Sequence, residues 1–535
     1  MFKPPISVIK YRRTVSSIIP VLMLAGFMAP SHAQDVSIPD PGLNAVVREA
    51  LRNPAGPLTQ QDMLSLTNLS ARNKNVRSIA GLEAARNLVS LDLQINHLTN
   101  VSLLSALTNL RTLDLSFNPF INFSLPGGLT NLTSLTMEGA GLTNLTLPAG
   151  LTRLNNLDLE NNQLTRFSQL SNLTSLIDLD LGFNAFTSFS LPSGLTHLSS
   201  FYFAGNPLTN VALPPDLAGM TDLNVSQNLL TSFTLPTGMT HLIELDLFFN
   251  QLTNLTLPAD LRNLFDLDLD FNRLSALNFP SNLTSLGNLH LRANLFTNFN
   301  VPAELTGLTY LDVRENPLTH FTLPGSLNHL ASLGISKTKL AQLTLPSGLT
   351  NLTTLFLSQN QLTNLVLPSD LYRLETLNVG SNQLTSLNLP SGLTNLTGLF
   401  LNGNLLSELT LPPDMTRLTA LAFLNNPLTT LVLSEPLAAS TNLSVNLTTI
   451  DSLPSQGVSV FTYPLAIQLI RLLQPIGAFQ FVITGPPGIY TVFSSTDLTA
   501  WSVLQTTINQ LGKVVFTDGT AHLSPRKFYR AQFAP

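Results

Sequence analysis

The chain has 535 residues and no cysteine, and only 11% of its residues are charged. Its formal charge of −5 argues against nucleic acid or an anionic membrane surface as the main partner. Without cysteine there is no disulfide framework, so the fold must rest on a continuous core.

At the N-terminus, Lys3, Lys10, Arg12 and Arg13 precede an apolar stretch over 18–28 and then Ser31-His32-Ala33. A basic region, a hydrophobic region and a small-x-Ala cleavage signal predict a secretory signal peptide over 1–33. The apolar run is short and contains Pro20, which argues against a retained membrane anchor. Cleavage after Ala33 would lower the 26 cations to 22 against 31 acids, a charge of −9. The expected location is secreted or cell-surface. No later stretch reads as an integral membrane segment, since 467–483 is broken by Arg471 and Pro475.

Residues 34–65 read as a helical cap. Asp40 as N-cap and Pro41 in the first turn open a helix with Leu43, Val46, Val47, Ala50 and Leu51 on one face. Thr59, with Asp62 three residues on, predicts a second helix start of the capping-box kind.

From 66 to 441 a 22-residue unit repeats seventeen times without insertion or deletion. One asparagine slot recurs at 96, 118, 162, 184, 206, 228, 250, 272, 294, 316, 360, 382, 404 and 426, while Lys74, Ala140 and Thr338 stand in phase without it. Leu245-Asp246-Leu247 alternates like a strand, and no unit can bury its apolar face alone. Stacked at about 4.8 Å per strand, seventeen units predict a parallel sheet roughly 80 Å long. Two columns after the slot, one through Leu98 and Phe120 and one through Phe123, Phe167, Phe189, Phe233, Phe299 and Phe321, read as packed core. Eight residues after the slot, thirteen units carry proline, so the outer arc is expected to be extended or tightly turned rather than α-helical.

The frame L-x-x-L-x-L-x-x-N-x-L at a strict period resembles the leucine-rich repeat. The resemblance implies an α/β-type repeat solenoid with a parallel concave β-sheet, a mostly non-helical convex side and an internal asparagine ladder. The wording 38–43 and 58–62 resembles the N-terminal cap of secreted bacterial leucine-rich repeat proteins of the internalin-like kind.

After Asn426 the frame decays, and 442–474 reads as a C-terminal cap or linker. Short β-rich runs at 479–484, 490–494, 513–516 and 528–533, with turn signals between them, predict a small all-β C-terminal domain, sandwich-like, over 475–535. Its Trp501 is expected in its core rather than as a sugar platform.

Nothing in the chain reads as catalytic chemistry. G-x-S-x-G, P-loop and H-E-x-x-H are all missing. His197, His241 and His329 share a slot but stand at least two units apart, about 10 Å, too far for one metal. The chain is expected to be no enzyme, with no cofactor and no metal site.

The outward strand face is more informative. Four residues before the slot run seven aspartates, read as keeping an exposed sheet wet. Across units six to ten, Asp178, Asp180, Asp222, Glu244, Asp246, Asp266, Asp268 and Asp270 accompany Phe183, Tyr202, Phe248, Phe249 and Phe271, with His290, Arg292, Tyr310 and Arg314 just beyond. An acidic, aromatic patch with a basic border predicts a concave face that holds a protein or peptide ligand non-covalently. A structural surface or matrix component without a discrete site, and carbohydrate binding through the C-terminal module, are the alternatives.

Overall fold

The computed structural model describes residues 35–446, 448–472 and 479–534; the expected signal peptide lies outside them. Each unit opens with a three-residue strand such as Glu244–Asp246, whose central leucine is buried while its neighbours face out. Successive strands pair in parallel at an offset of 22: Glu244 beside Asp266, Leu245 beside Leu267, Asp246 beside Asp268. Eighteen strands form this main sheet, from Asn68–Ser70 to Ser444–Val445, one strand past the last slot asparagine. Behind it Leu245, Leu247, Leu252, Leu261 and Leu264 are fully buried, and the other units repeat the pattern. Burying each such side chain is worth about 1.5–3 kcal/mol, so the stacked leucines are the principal force holding the solenoid.

The slot asparagines form the ladder. The Oδ1 of Asn250 accepts from the Leu230 N–H at 3.1 Å, in the preceding unit. Its Nδ2 donates to the carbonyls of Val225, Leu247 and Phe248 at 3.0, 3.2 and 3.5 Å. Of these groups only the Phe248 carbonyl also meets a backbone donor, the Gln227 N–H at 2.7 Å, so the amides supply what the turn's own backbone largely does not. Where the amide is missing, local atoms substitute. Beside Ala140, the Phe120 N–H turns to the Ala140 carbonyl at 2.9 Å. At Thr338 the hydroxyl and N–H both donate to Asn360 Oδ1, and the Lys74 N–H donates likewise to Asn96 Oδ1.

The convex side follows proline. Leu82, Leu104 and Leu170 occupy the proline position in three units, and those units form 3-10 turns (Leu82–Ala84, Ser102–Ala106, Gln169–Asn172). Units with proline keep the residue before it extended, and all but two of them form a second short strand, such as Asn254–Thr256. The central residue of this second strand belongs to the phenylalanine column, whose rings are buried (Phe123, Phe189, Phe233, Phe299, Phe321). The turn histidines also have a structural use. His241 and His329 contact the carbonyls of Ala218 and Thr306, as Asn263 and Asn351 contact those of Thr240 and Asn328.

Both ends are closed. A helix over Pro41–Ala50 has Asp40 as N-cap, with Oδ1 accepting from the Leu43 N–H. The other oxygen accepts from the N–H groups of Arg77 and Ser78, tying the helix to the first unit. A second helix, Gln60–Leu64, starts with the capping box of Thr59 and Asp62. At the far end, Thr430–Ser434 pairs in parallel with Ser459–Tyr463, and buried Tyr463 donates its hydroxyl to the Leu411 carbonyl at 2.7 Å.

Beyond lie two three-stranded antiparallel sheets, one from Gln468–Arg471, Phe479–Thr484 and Lys513–Asp518, the other from Ser502–Asn509, Gly488–Ser495 and Phe528–Ala534. Phe481, Ile483, Tyr490, Val492 and Phe516 fill the core between them. Trp501 is not among them, contrary to expectation. It lies half-exposed under the Arg530 guanidinium, which stacks over Trp501 at 4.7 Å and over Phe493 at 4.8 Å. Too few strands cover this edge of the sheet to bury an indole.

Candidate recognition face

Strand register brings the candidate residues into rows. Asp178, Ser200, Asp222, Glu244, Asp266, Asn288 and Tyr310 stand side by side in one row. Asp180, Tyr202, Asn224, Asp246, Asp268, His290 and Asp312 stand in the next. Phe248, Asp270, Arg292 and Arg314 follow two residues on, with Phe183, Phe249 and Phe271 one further. All seventeen candidates are exposed or half-exposed on the outward side of the main sheet.

The second row has a structural duty that the wet-face expectation missed. In nine units, an aspartate or asparagine there accepts from the backbone N–H two residues on, where the strand has ended: Asp92, Asp114, Asp158, Asp180, Asn224, Asp246, Asp268, Asp312 and Asn378. In four units lacking that acceptor, a side chain of the preceding unit supplies it. Ser116 takes the Glu138 N–H, Asp270 that of Arg292, Ser336 that of Ser358 and Asn402 that of Leu424. One N–H thus has two alternative holders.

This makes two otherwise similar substitutions differ. Asn378→Ala leaves the Gly380 N–H within reach of Ser358, whereas Asn224→Ala leaves the buried Ser226 N–H facing Ala204, which has no acceptor. Chemical denaturation is expected to show Asn224→Ala about 1–2 kcal/mol worse than Asn378→Ala, the cost of a buried unpaired donor. Adding Ala204→Ser should recover most of that loss; no recovery would refute the exchange.

The electrostatics correct the predicted basic border. Arg292 pairs with Glu315 at 2.8 Å, and Lys337 pairs with the same carboxylate at 2.9 Å. Arg314 bonds through Nε to both oxygens of Asp312, at 2.8 and 2.9 Å. Its charge is therefore spent locally, as is that of Arg292, which also lies 5.2 Å over the Phe271 ring. His290 stacks on Tyr310 at 4.8 Å and approaches Asp266 at 3.8 Å. The net character of the face is acidic.

That acidity also starts earlier than units six to ten. Carboxylate oxygens of Asp158, Glu160 and Asp180 lie within 4.8 Å of one another, and Glu138 adjoins them. Burial, with the charges of Asp158, Glu160 and Glu138, pushes Asp180 up to about 7 against the bond from the Gly182 N–H. Burial and the Asp268 charge push Asp270 likewise to about 7. Glu244, Asp246 and Asp268 are raised as well, burial first.

The aromatic residues cluster. Phe248, Phe249 and Phe271 contact one another with centroids 5.5–6.2 Å apart. Phe183 is 45% exposed, Tyr202 39% and Phe249 57%. Phe183, Phe249 and Phe271 also hold left-handed backbone, with φ of 50°, 53° and 55°. The ring of Phe183 lies on Gly205, where a Cβ would meet it at 2.5 Å.

Comparison with known proteins bears on the fold. A leucine-rich repeat model, two copies, matches residues 350–391, and a BspA-type leucine-rich repeat region, six copies, matches 181–294. No curated protein sequence matches the chain. Among solved structures, the functional domain of InlJ from Listeria monocytogenes is 19% identical, with a TM-score of 0.52 over 85% of this chain and 97% of that one. YopM from Yersinia enterocolitica is 22% identical, with a TM-score of 0.52 over 78% and 94%. The plant peptide hormone receptor RGFR1, solved with RGF2, is 24% identical, with a TM-score of 0.51 over 71% and 68%. The likeness is one of fold: a parallel solenoid of leucine-rich repeats.

Proposed function

We propose that this leucine-rich repeat solenoid is an exported recognition protein that holds a protein or peptide non-covalently on the concave face of its main sheet. The observation that carries the reading is the exposed aromatic group around Phe249, standing in an acidic field on a preformed sheet. Large rings in water on a rigid scaffold are the usual anchors of interfaces, and little ordering entropy is lost when they are covered. The residues from Asp178 to Arg314 would form the contact surface. Export is supported by the signal-like wording of 1–33; among the described residues no helix is long and apolar enough to cross a membrane.

The test is selection from a random peptide library by the full chain, beside a variant carrying Glu244→Gln, Asp266→Asn, Phe249→Ser and Phe271→Ser. None of these four side chains holds the strand-end N–H groups, unlike Asp246 and Asp268. Peptides enriched by the native chain and lost by a variant of unchanged circular dichroism are the expected result. Equal enrichment by both would remove recognition from this face.

A further inference from the structure

Resting on that reading, we propose that the segment held by the face is cationic, a lysine- or arginine-bearing peptide whose charges sit over Asp222, Glu244 and Asp266 and whose stems lie against the flanking rings. The three carboxylates occupy adjacent strands in direct register, with Asp246 and Asp268 in the next row. Neighbouring strands are about 4.8 Å apart, so five negative groups share a patch three strands wide. Among the described residues no lysine or arginine forms an ion pair with any of them; His290 beside Asp266 is the one basic neighbour in contact.

Nor can the fold supply the missing charge. Arg292 and Lys337 already share Glu315, and Arg314 is bound to Asp312. Freeing Arg314 would strand Asp312, and freeing both Arg292 and Lys337 would strand Glu315. A cationic partner would supply the countercharge that the patch lacks.

Rings stand on both flanks: Tyr202 one strand before Asn224, and the Phe248, Phe249 and Phe271 group on the far side. Such faces take a guanidinium or ammonium by cation–π attraction and cover the aliphatic stem. The chain contains the same arrangement within itself, Arg292 over Phe271 and Arg530 between Phe493 and Trp501. Phe249 and Phe271 hold left-handed backbone that suits asparagine or glycine better. The same backbone recurs just before the slot in other units, at Ile95, Gln227, Glu315 and Lys337 among them, so it belongs to the repeat turn and not to the rings.

The experiment measures fluorescence anisotropy of three short labelled peptides, with lysine, serine or glutamate alternating with leucine, against the full chain. The lysine peptide is expected to bind, more weakly as salt is raised, and the glutamate peptide to fail. Asp222→Asn, Glu244→Gln and Asp266→Asn together should weaken the lysine peptide at least about tenfold, as the loss of close charge pairs does. The remote triple Glu49→Gln, Glu408→Gln and Asp451→Asn changes net charge equally and should leave binding intact. Phe249→Asn with Phe271→Asn should weaken binding several-fold while melting no earlier than the native chain. If the serine peptide binds as well as the lysine peptide and the triple variant keeps both, the cationic inference falls while recognition by the face stands. Equal weakening by the remote triple would assign binding to bulk charge and overturn the inference. Failure of all three peptides would count against both readings.

Discussion

Replacing Asn250 with alanine is expected to cost about 2–3 kcal/mol in equilibrium unfolding, the upper range for leaving a buried donor unpaired. The side chain is buried and serves four backbone groups at once, the Leu230 N–H and the carbonyls of Val225, Leu247 and Phe248. Alanine removes all four bonds; the three carbonyls keep Asn228, Asn272 and the Gln227 N–H as donors, while the buried Leu230 N–H is left without an acceptor. The Ala140 site shows how the chain copes where the gap is native, by turning one N–H onto a neighbouring carbonyl. That adjustment is accompanied by positive φ at Gly139 and Gly141, two glycines that flank Ala140. At 250 the preceding Phe249 already holds the same left-handed backbone as Gly139, but Gln251 stands where Gly141 supplies its freedom. Asn250→Thr should fall between the two, because Thr338 keeps a polar contact at the equivalent slot. A loss under about 1 kcal/mol for Asn250→Ala would mean that the ladder follows the fold rather than holding it.

The second large effect is an inverted pH profile. Asp180 and Asp270 are raised from 3.8 to about 7 in the folded chain. Between about 4 and 7 the folded state therefore retains protons that the unfolded state has released, and stability falls as pH rises through that window. Below about 4 both states are protonated and the penalty vanishes; above 7 it is complete. Glu138, Asp158, Glu160, Glu244, Asp246 and Asp268 are raised too and add the same sign. Thermal melts should thus be higher at pH 5 than at pH 8. Asp180→Asn and Asp270→Asn keep the acceptor oxygen and discharge the site, as Asn224 and Asn378 already do in their own units. Each should stabilise the chain by about 1–2 kcal/mol at pH 8, after discounting for partial solvent exposure, and change little at pH 4. A flat profile, or equal gains at both pH values, would show that the crowding of carboxylates carries no energetic weight.

Most of the solenoid was legible because its period is strict. A residue's partner stands 22 positions away, so sheet, buried leucines and asparagine ladder follow from counting. The convex side was legible as far as proline excludes helix; that its absence at Leu82, Leu104 and Leu170 yields 3-10 turns was not. On the face, counting located the rows but not their bonding. The aspartates of the second row look like surface charge until one sees that a strand of three residues leaves the N–H two residues past its end without a strand partner. Arg292, Glu315 and Lys337 fall in consecutive units, so their pairing could have been read from the same period, and the basic border would have been discounted. Period offers no help past 446. The strands Gln468–Arg471 and Ser502–Asn509 escaped because they lie at sheet edges with little alternation of apolar residues.

Each slot asparagine reaches backward. Asn250 completes groups at Val225 and Leu230, Asn272 those at Leu247 and Leu252, and none of these bonds runs the other way. The ladder therefore has a direction, the same one in which a ribosome delivers the chain. At about 5–20 residues per second, a new unit leaves the ribosome every few seconds, carrying the amide that finishes the unit already docked. Assembly can proceed one unit behind synthesis, with only the youngest turn unfinished at any moment. Past the last rung the frame ends, and Asn446 closes the sheet instead, accepting the Phe423 N–H that in other units goes to the next strand's carbonyl, as the Leu247 N–H goes to Asp268. A chain halted partway would leave such a strand donor bare.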